Sequence, residues 1–123
     1  MSTLTIEIPF LPPRALSPNA RGGSYWPSYK AGTDFADSVI ARAREVAPSE
    51  PWDKVAVQYK VFWCGTAPDP DNFINSMKAA LDSLVFVGIM PDDGPEHVTI
   101  LPVTYERVAH RPQAKVEITV TED

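Results

Sequence analysis

Period-two alternation opens the chain. Leu4, Ile6, Ile8 and Phe10 alternate with Thr3, Thr5 and Glu7, which predicts a strand over 3–8 with one face on a core, ended by Pro9 and Pro12-Pro13. Val55, Val57, Tyr59, Val61 and Trp63 alternate with Ala56, Gln58, Lys60 and Phe62, the clearest strand in the sequence, and it stops at Cys64-Gly65. Towards the C-terminus, 97–108 reads as an extended segment interrupted by Pro102. A last strand is expected over 114–121, where Val116, Ile118 and Val120 alternate with Lys115, Glu117 and Thr119. Arg111-Pro112-Gln113 between the two reads as a hairpin connection.

The apolar spacing switches to that of a helix in two places. From Thr33, read as an N-cap, Phe35, Val39, Ala43 and Val46 recur at helical intervals, with Asp34 and Asp37 at the start, Arg42 and Arg44 near the end and Pro48 as the stop, so a helix is expected over about 33–46. A second is expected from about Asp71 to Val87, with Phe73, Met77, Ala80, Leu81 and Leu84 on one face and Gly88 as its left-handed terminator. Pro91-Asp92-Asp93-Gly94-Pro95 is then a tight turn. The order strand, helix, strand, helix, strand, strand predicts an α+β fold, a small mixed sheet of about four strands with two helices on one face.

Composition narrows this picture. At 123 residues the chain is sized for a single domain, 1–123, with a modest core. The 13 prolines fall in loop clusters and not in a repeat, so stiff connections are expected rather than low complexity. The single Cys64 forms no intrachain disulfide, reads as a small buried hydrophobe, and fits a reducing compartment. No apolar run approaches the ~18 residues of a membrane span, and the start lacks the layout of a signal peptide, so a cytoplasmic protein is expected. The net charge of −5 argues against a purely electrostatic nucleic-acid binder. It is uneven, however: residues 1–60 carry seven basic and six acidic side chains, and 61–123 carry four and ten. The second half is where a cation would be attracted.

That half contains Asp69-Pro70-Asp71-Asn72, where the clearest strand has ended and the second helix begins. Two carboxylates one residue apart can converge on a hard cation such as Mg²⁺, and they equally suit a helix N-cap with Pro in the first turn. At 100° per residue, Asp71, Asn75, Lys78 and Asp82 form one polar stripe opposite the apolar face. Long helical side chains lean towards the N-terminus, which aims the Lys78 ammonium at Asp71; its alternative is an i,i+4 pair with Asp82 on a solvated face. Asp92 and Asp93 add a third acidic element. Together these groups supply the carboxylates that one or two Mg²⁺ ions need to hydrolyse a phosphodiester.

The remaining candidates are fewer. His97 and His110 stand apart from any recognisable nucleophile and receive no catalytic role. The stretch from Leu11 to Lys30 has four prolines, two glycines, no acid and no periodicity, and it contains Arg14, Asn19, Arg21, Tyr25, Trp26 and Lys30. A long loop of this kind reads as a DNA-contacting arm or as an aromatic cap over the core.

The run DPDNFINSMKAALDSLVFVGIMPDD, residues 69–93, resembles the RusA-type endodeoxyribonucleases, which resolve four-way (Holliday) DNA junctions and are common in phages and prophages. LPPRALSPNARGGSYW, residues 11–26, is similar to that family's early Pro-Pro…Asn…aromatic loop. The resemblance implies a RusA-like homodimer of compact α+β subunits that requires Mg²⁺, with Mn²⁺ as its substitute, and makes paired symmetric nicks in branched DNA during recombination and repair. By position it implies Asp69, Asp71 and Asp93 as metal-binding and catalytic carboxylates, Asp92 as a further metal-binding acid and Lys78 as the catalytic lysine. Arg14, Asn19, Arg21, Trp26 and Lys30 would contact DNA, joined by Arg42 and Arg44. It also implies a bacterial host cytoplasm and neither membrane nor small-molecule cofactor. Two departures stand out: the position three residues after Asn72, where the family's lysine is expected, is Asn75, and Pro68 stands where a basic residue is expected. A catalytically inactive branched-DNA-binding protein of the same fold is the alternative, and a small cation-binding or scaffold protein without DNA is a third reading.

Overall fold

The computed structural model describes residues 2–12 and 25–123, with the backbone alone for 25–32. The elements run β1 (Thr3–Ile8), α1 (Tyr25–Arg44), β2 (Val55–Trp63), α2 (Pro70–Ser76), α3 (Lys78–Phe86), β3 (Val98–Ile100), β4 (Thr104–Arg107) and β5 (Lys115–Glu122), with a 3-10 turn at Arg111–Gln113 before the last strand. β1, β2 and β5 match the alternation in the sequence. Their Leu4, Ile6, Ile8, Val55, Val57, Tyr59, Val61, Val116, Ile118 and Val120 are buried in one cluster with Phe35, Val39 and Ala43 of α1 and with Phe73, Met77, Ala80 and Leu84 of the helical segment after β2. The apolar positions of each strand share one face, and burying that face against the helices is what fixes the register.

The sheet is mixed. β5 lies between β1 and β2 and is antiparallel to both, while β3 and β4 both run parallel to β2 along its other side. The 97–108 segment is thus one edge strand in two pieces. Val98 pairs with Val55 and Ile100 with Val57, but pairing resumes with Thr104 on Lys60, so three edge residues, 101–103, oppose two on β2, Gln58 and Tyr59. This extra residue is a bulge at Pro102, whose missing N–H suits an edge; Leu101 still donates its N–H to the Val57 carbonyl at 2.9 Å, and the Gln58 side-chain amide donates to the Pro102 carbonyl at 3.3 Å. One added residue exchanges the faces. In β3 the even-numbered Val98 points to the core, whereas in β4 it is Tyr105, paired with the buried Val61, and then Arg107, paired with Trp63, that take the helix side.

Four expectations are corrected. The first helix starts at Tyr25 and not at Thr33: Pro27 is tolerated in a first helical turn, and the aperiodic 25–32 run hid the helix from a pattern search. The expected helix 71–87 is divided at Met77 (φ −86°, ψ 5°), whose N–H is shared between the Phe73 and Ile74 carbonyls. The Ser76 hydroxyl donates back to the Asn72 carbonyl at 2.8 Å, a contact that bends helices, and the division falls at the next residue. Gly88 does end the helical segment at φ +87°. Arg111-Pro112-Gln113 is not a hairpin connection, because the strands it joins lie on opposite sides of β2; it is the 3-10 turn that carries the chain across the end of that strand. Cys64 is half-buried rather than buried, its thiol 3.8 Å from the Ala109 carbonyl. Among the described residues no helix is long and apolar enough to cross a membrane.

Candidate functional site

The end of β2 sets the site. Beyond Trp63 the chain turns through Gly65 at φ +87°, a left-handed conformation in which a side chain would be strained. Two aromatic residues hold the turn from the helix face of the sheet. The Trp63 indole N–H donates to the Gly65 carbonyl at 3.2 Å, the Tyr105 hydroxyl donates to the Pro68 carbonyl at 3.2 Å, and their rings meet edge to face with centroids 5.8 Å apart. The loop 64–68 is therefore fastened near both ends, and Asp69 follows the second fastening directly.

Asp69 is the N-cap of α2. Its Oδ1 accepts the Asp71 N–H at 2.9 Å, its backbone carbonyl accepts the Phe73 N–H at 2.8 Å, and Pro70 fills the first helical position. Asp71 follows in the first turn, exposed, where the helix N-terminus favours a negative charge. The negative charge of Asp69 reaches Tyr105, whose phenol is pushed up from its ordinary value first by burial and then by that carboxylate. Tyr105 and Trp63 are parts of the site that sequence reasoning missed, and Arg107 is a third residue on this face. No local pattern announced Tyr105 or Arg107, because it is the bulge at Pro102 that turns the odd-numbered positions of β4 towards the helices; Trp63 was visible in the alternation of β2, but its bond to the loop was not.

The second acidic element forms around Lys78, the first residue of α3. Its ammonium donates to Asp82 Oδ1 at 2.9 Å and also to Asp93 Oδ2, which is fifteen residues away in sequence. Asp71, Asn75, Lys78 and Asp82 are all exposed, so the polar stripe is real, but the lysine reaches Asp82 and Asp93 and not Asp71. The pairing shows in both partners. Hydrogen bonds to Asp93 and then to Asp82 raise the Lys78 ammonium above its usual range, and the bond from Lys78 holds Asp93 below the usual carboxylate range. Asp92 is exposed on the turn, and its Oδ1 accepts the Asp93 N–H at 2.8 Å. The turn thereby fixes the Asp93 backbone while Lys78 fixes its side chain.

The other expected residues divide. Arg14, Asn19 and Arg21 lie outside the described residues, and Trp26 and Lys30 belong to the start of α1 with their side chains outside the described part. Arg42 and Arg44 are exposed in the last turn of α1, with the Arg44 guanidinium 5.8 Å from the centre of the Phe86 ring. His97 has a structural setting: Nδ1 lies 2.8 Å from the Asp53 carbonyl, and its own carbonyl accepts the Val55 N–H at the start of β2.

Mg²⁺ is the cation implied for these carboxylates. Among the described residues no three of His, Cys, Asp and Glu stand together as a metal-holding group, and Asp93 already has an ammonium on it. As folded, the acids form two separate elements and not a ready three-carboxylate cage. A comparison with protein-family models finds no match for this chain, and no curated protein matches it.

Proposed function

We propose that the protein is a Mg²⁺-dependent, structure-specific endodeoxyribonuclease of the RusA type that acts as a homodimer on four-way DNA junctions by paired symmetric nicks. The observation that carries this reading is the contact of Lys78 with Asp93. Two residues far apart in the sequence, grouped by their chemistry and assigned to one site by resemblance, meet in the fold through a direct hydrogen bond. Asp69 and Asp71 supply a second pair of carboxylates on a rigid helix start, held by the aromatic fastening of the loop before them. A cationic side chain beside acids suits phosphodiester chemistry, in which negative charge grows on the phosphoryl oxygens and fixed positive groups stabilise it. Arg107, on the helix face of β4, offers a phosphate contact on the strand that carries Tyr105. A two-fold dimer would present two such sites to two symmetry-related strands of an open junction.

The test is incubation of the purified protein with a labelled four-way junction and a matching linear duplex, with Mg²⁺ and with EDTA, at low salt. Paired nicks in the junction alone, lost with EDTA and with Asp71→Asn, are the expected result. One observation favours a second reading, that of a branched-DNA binder without cleavage: Asp69 is engaged as a cap and Asp93 is neutralised by a lysine. Tight junction binding with no nick under any divalent cation would select it.

A further inference from the structure

We propose that the cleft at the end of β2 binds an unpaired nucleotide of a DNA strand, its base on Phe10 and its phosphate on Arg111. The inference rests on the reading of branched DNA as the partner and adds where an unpaired stretch of it is held; no metal enters it. The chain after β1 and the 3-10 turn before β5 together enclose a cleft of about 300 Å³, at the lower end of the range for ligand sites. Its apolar walls are Pro9, Phe10, Leu11 and Pro112, Cys64 and Arg111 supply its polar chemistry, and no acid is among the residues that line it. Phe10 is 38% exposed, and an edge-to-face contact with the buried Phe35, centroids 6.0 Å apart, holds its ring in place.

The charge at this end of the sheet runs against that of the chain. Residues 61–123 carry ten acids and four bases, yet three of the four bases, Arg107, Arg111 and Lys115, fall within 107–115, which contains no acid. Lys115 is paired with Glu7 at 3.1 Å, whereas among the described residues Arg107 and Arg111 form no ion pair, and both are exposed. An exposed guanidinium without a carboxylate, in a protein of net charge −5, is free to take an anion, and its planar fork suits a phosphate. The apolar walls decide which phosphate compound. Duplex DNA turns sugars and phosphates outward and keeps its base faces in the stack, so it would leave Phe10, Leu11 and the prolines uncovered; an unpaired nucleotide brings a base face to the ring and a phosphate to the guanidinium together. The cleft also stands where such a strand would approach the acids. Cys64 begins the loop that Trp63 and Tyr105 fasten and that leads to Asp69, and Arg107 is opposite Trp63, the residue before it.

The single cysteine of the chain lines the cleft and so reports its occupation. The rate at which iodoacetamide modifies Cys64 is measured in EDTA at low salt, with a short oligothymidylate, with a linear duplex and with inorganic phosphate. Saturating oligothymidylate is expected to slow the modification about fivefold or more, and the duplex and inorganic phosphate at the same phosphate concentration to leave it unchanged. In anisotropy titrations of the labelled oligothymidylate, Phe10→Ala should weaken binding about fivefold or more, the loss of one base–aromatic stack, and Phe10→Trp should preserve it. Arg111→Ala should lower the slope of log affinity against log salt by about 0.7, the share of one phosphate contact on a single strand. Arg111 is exposed, so its variant tests the site without touching the core, and thermal melts check the folding of the Phe10 variants. No protection of Cys64 by oligothymidylate, equal protection by duplex or by inorganic phosphate, or an unchanged salt slope in Arg111→Ala would each overturn the proposal. Mg²⁺-dependent junction nicking without protection of Cys64 would strike the cleft alone, and protection without nicking would strike the nuclease reading alone.

Discussion

The two acidic elements of this protein are built in opposite ways. Asp69 and Asp71 stand at the start of a helix, where backbone N–H groups and the helix dipole satisfy negative charge, and the Asp69 carboxylate adds to the burial that raises the Tyr105 phenol. Asp93 stands on a turn where a lysine from another element satisfies it. The first arrangement is part of the architecture: remove the carboxylate and a helix loses its cap. The second is an ion pair between side chains, the lysine 63% and the aspartate 27% exposed. Acidity alone does not distinguish a capping carboxylate from an ion-paired one; the identity of its partner does.

Substitutions can break that comparison at several strengths. The largest effect expected is on cleavage: Asp71→Asn, which leaves the cap donor in place, should lower Mg²⁺-dependent junction nicking by roughly 100-fold or more while junction binding in Ca²⁺ is unchanged, as gel-based nicking and mobility-shift assays would measure. Next, Asp69→Ala should cost about 1 kcal/mol of stability in urea denaturation, the usual loss for an N-cap, whereas Lys78→Met should shift the unfolding midpoint less than Asp69→Ala does. Equal shifts would erase the distinction between a capping carboxylate and an ion-paired one. Tyr105→Phe should cost about 0.5–1.5 kcal/mol through loss of its bond to the Pro68 carbonyl, read in the same denaturation experiment.

The smallest effect concerns pH. Asp93 is held below its ordinary value of 3.8, so its share of the pairing is fully present above that pH and is lost as pH falls through the lower folded value. Lys78 is held above its ordinary value of 10.5, so its share is fully present below that pH and is lost as pH rises through the higher folded value. The difference in melting temperature between the native chain and Lys78→Met should therefore be flat from about pH 5 to pH 9 and shrink at both extremes. A difference that varied through neutrality would mean that another group carries the effect.

How much of this was legible in the sequence depends on whether a feature is local. β1, β2 and β5 were, because each buries a run of alternate residues such as Val116, Ile118 and Val120 against one core, and burial leaves a period. The cap at Asp69 and the stop at Gly88 were legible for the same reason, since each needs a particular residue at a particular point. The start of α1 was not: Tyr25 to Gly32 holds Pro27 and no apolar period, and only the backbone as folded reveals the helix. The division at Met77 was hidden too, because the helical apolar pattern of Phe73, Met77, Ala80 and Leu84, at spacings of four, three and four, continues through it. Of the site, the acids and Lys78 were all visible as residues, but the choice of Asp93 over Asp71 as the partner of Lys78 is a tertiary fact. Tyr105 and Trp63 could not be found by motif at all, since their roles are bonds to the carbonyls of Pro68 and Gly65, which every residue possesses.

The bulge at Pro102 works like a reading frame. With three edge residues, 101–103, set against Gln58 and Tyr59, β4 offers the acidic loop Tyr105 and Arg107; the same residues in unbroken alternation from Ile100 would offer it Thr104 and Glu106. Loss of the bulge with all three residues kept would exchange a phenol and a guanidinium for a hydroxyl and a carboxylate on that face, whereas deletion of one of residues 101–103 would close the bulge and leave Tyr105 opposite Val61. Whether the edge bulges or runs straight therefore alters the chemistry of that face without changing any residue, and relatives of this protein are best compared by that pairing before they are compared by the letters around it.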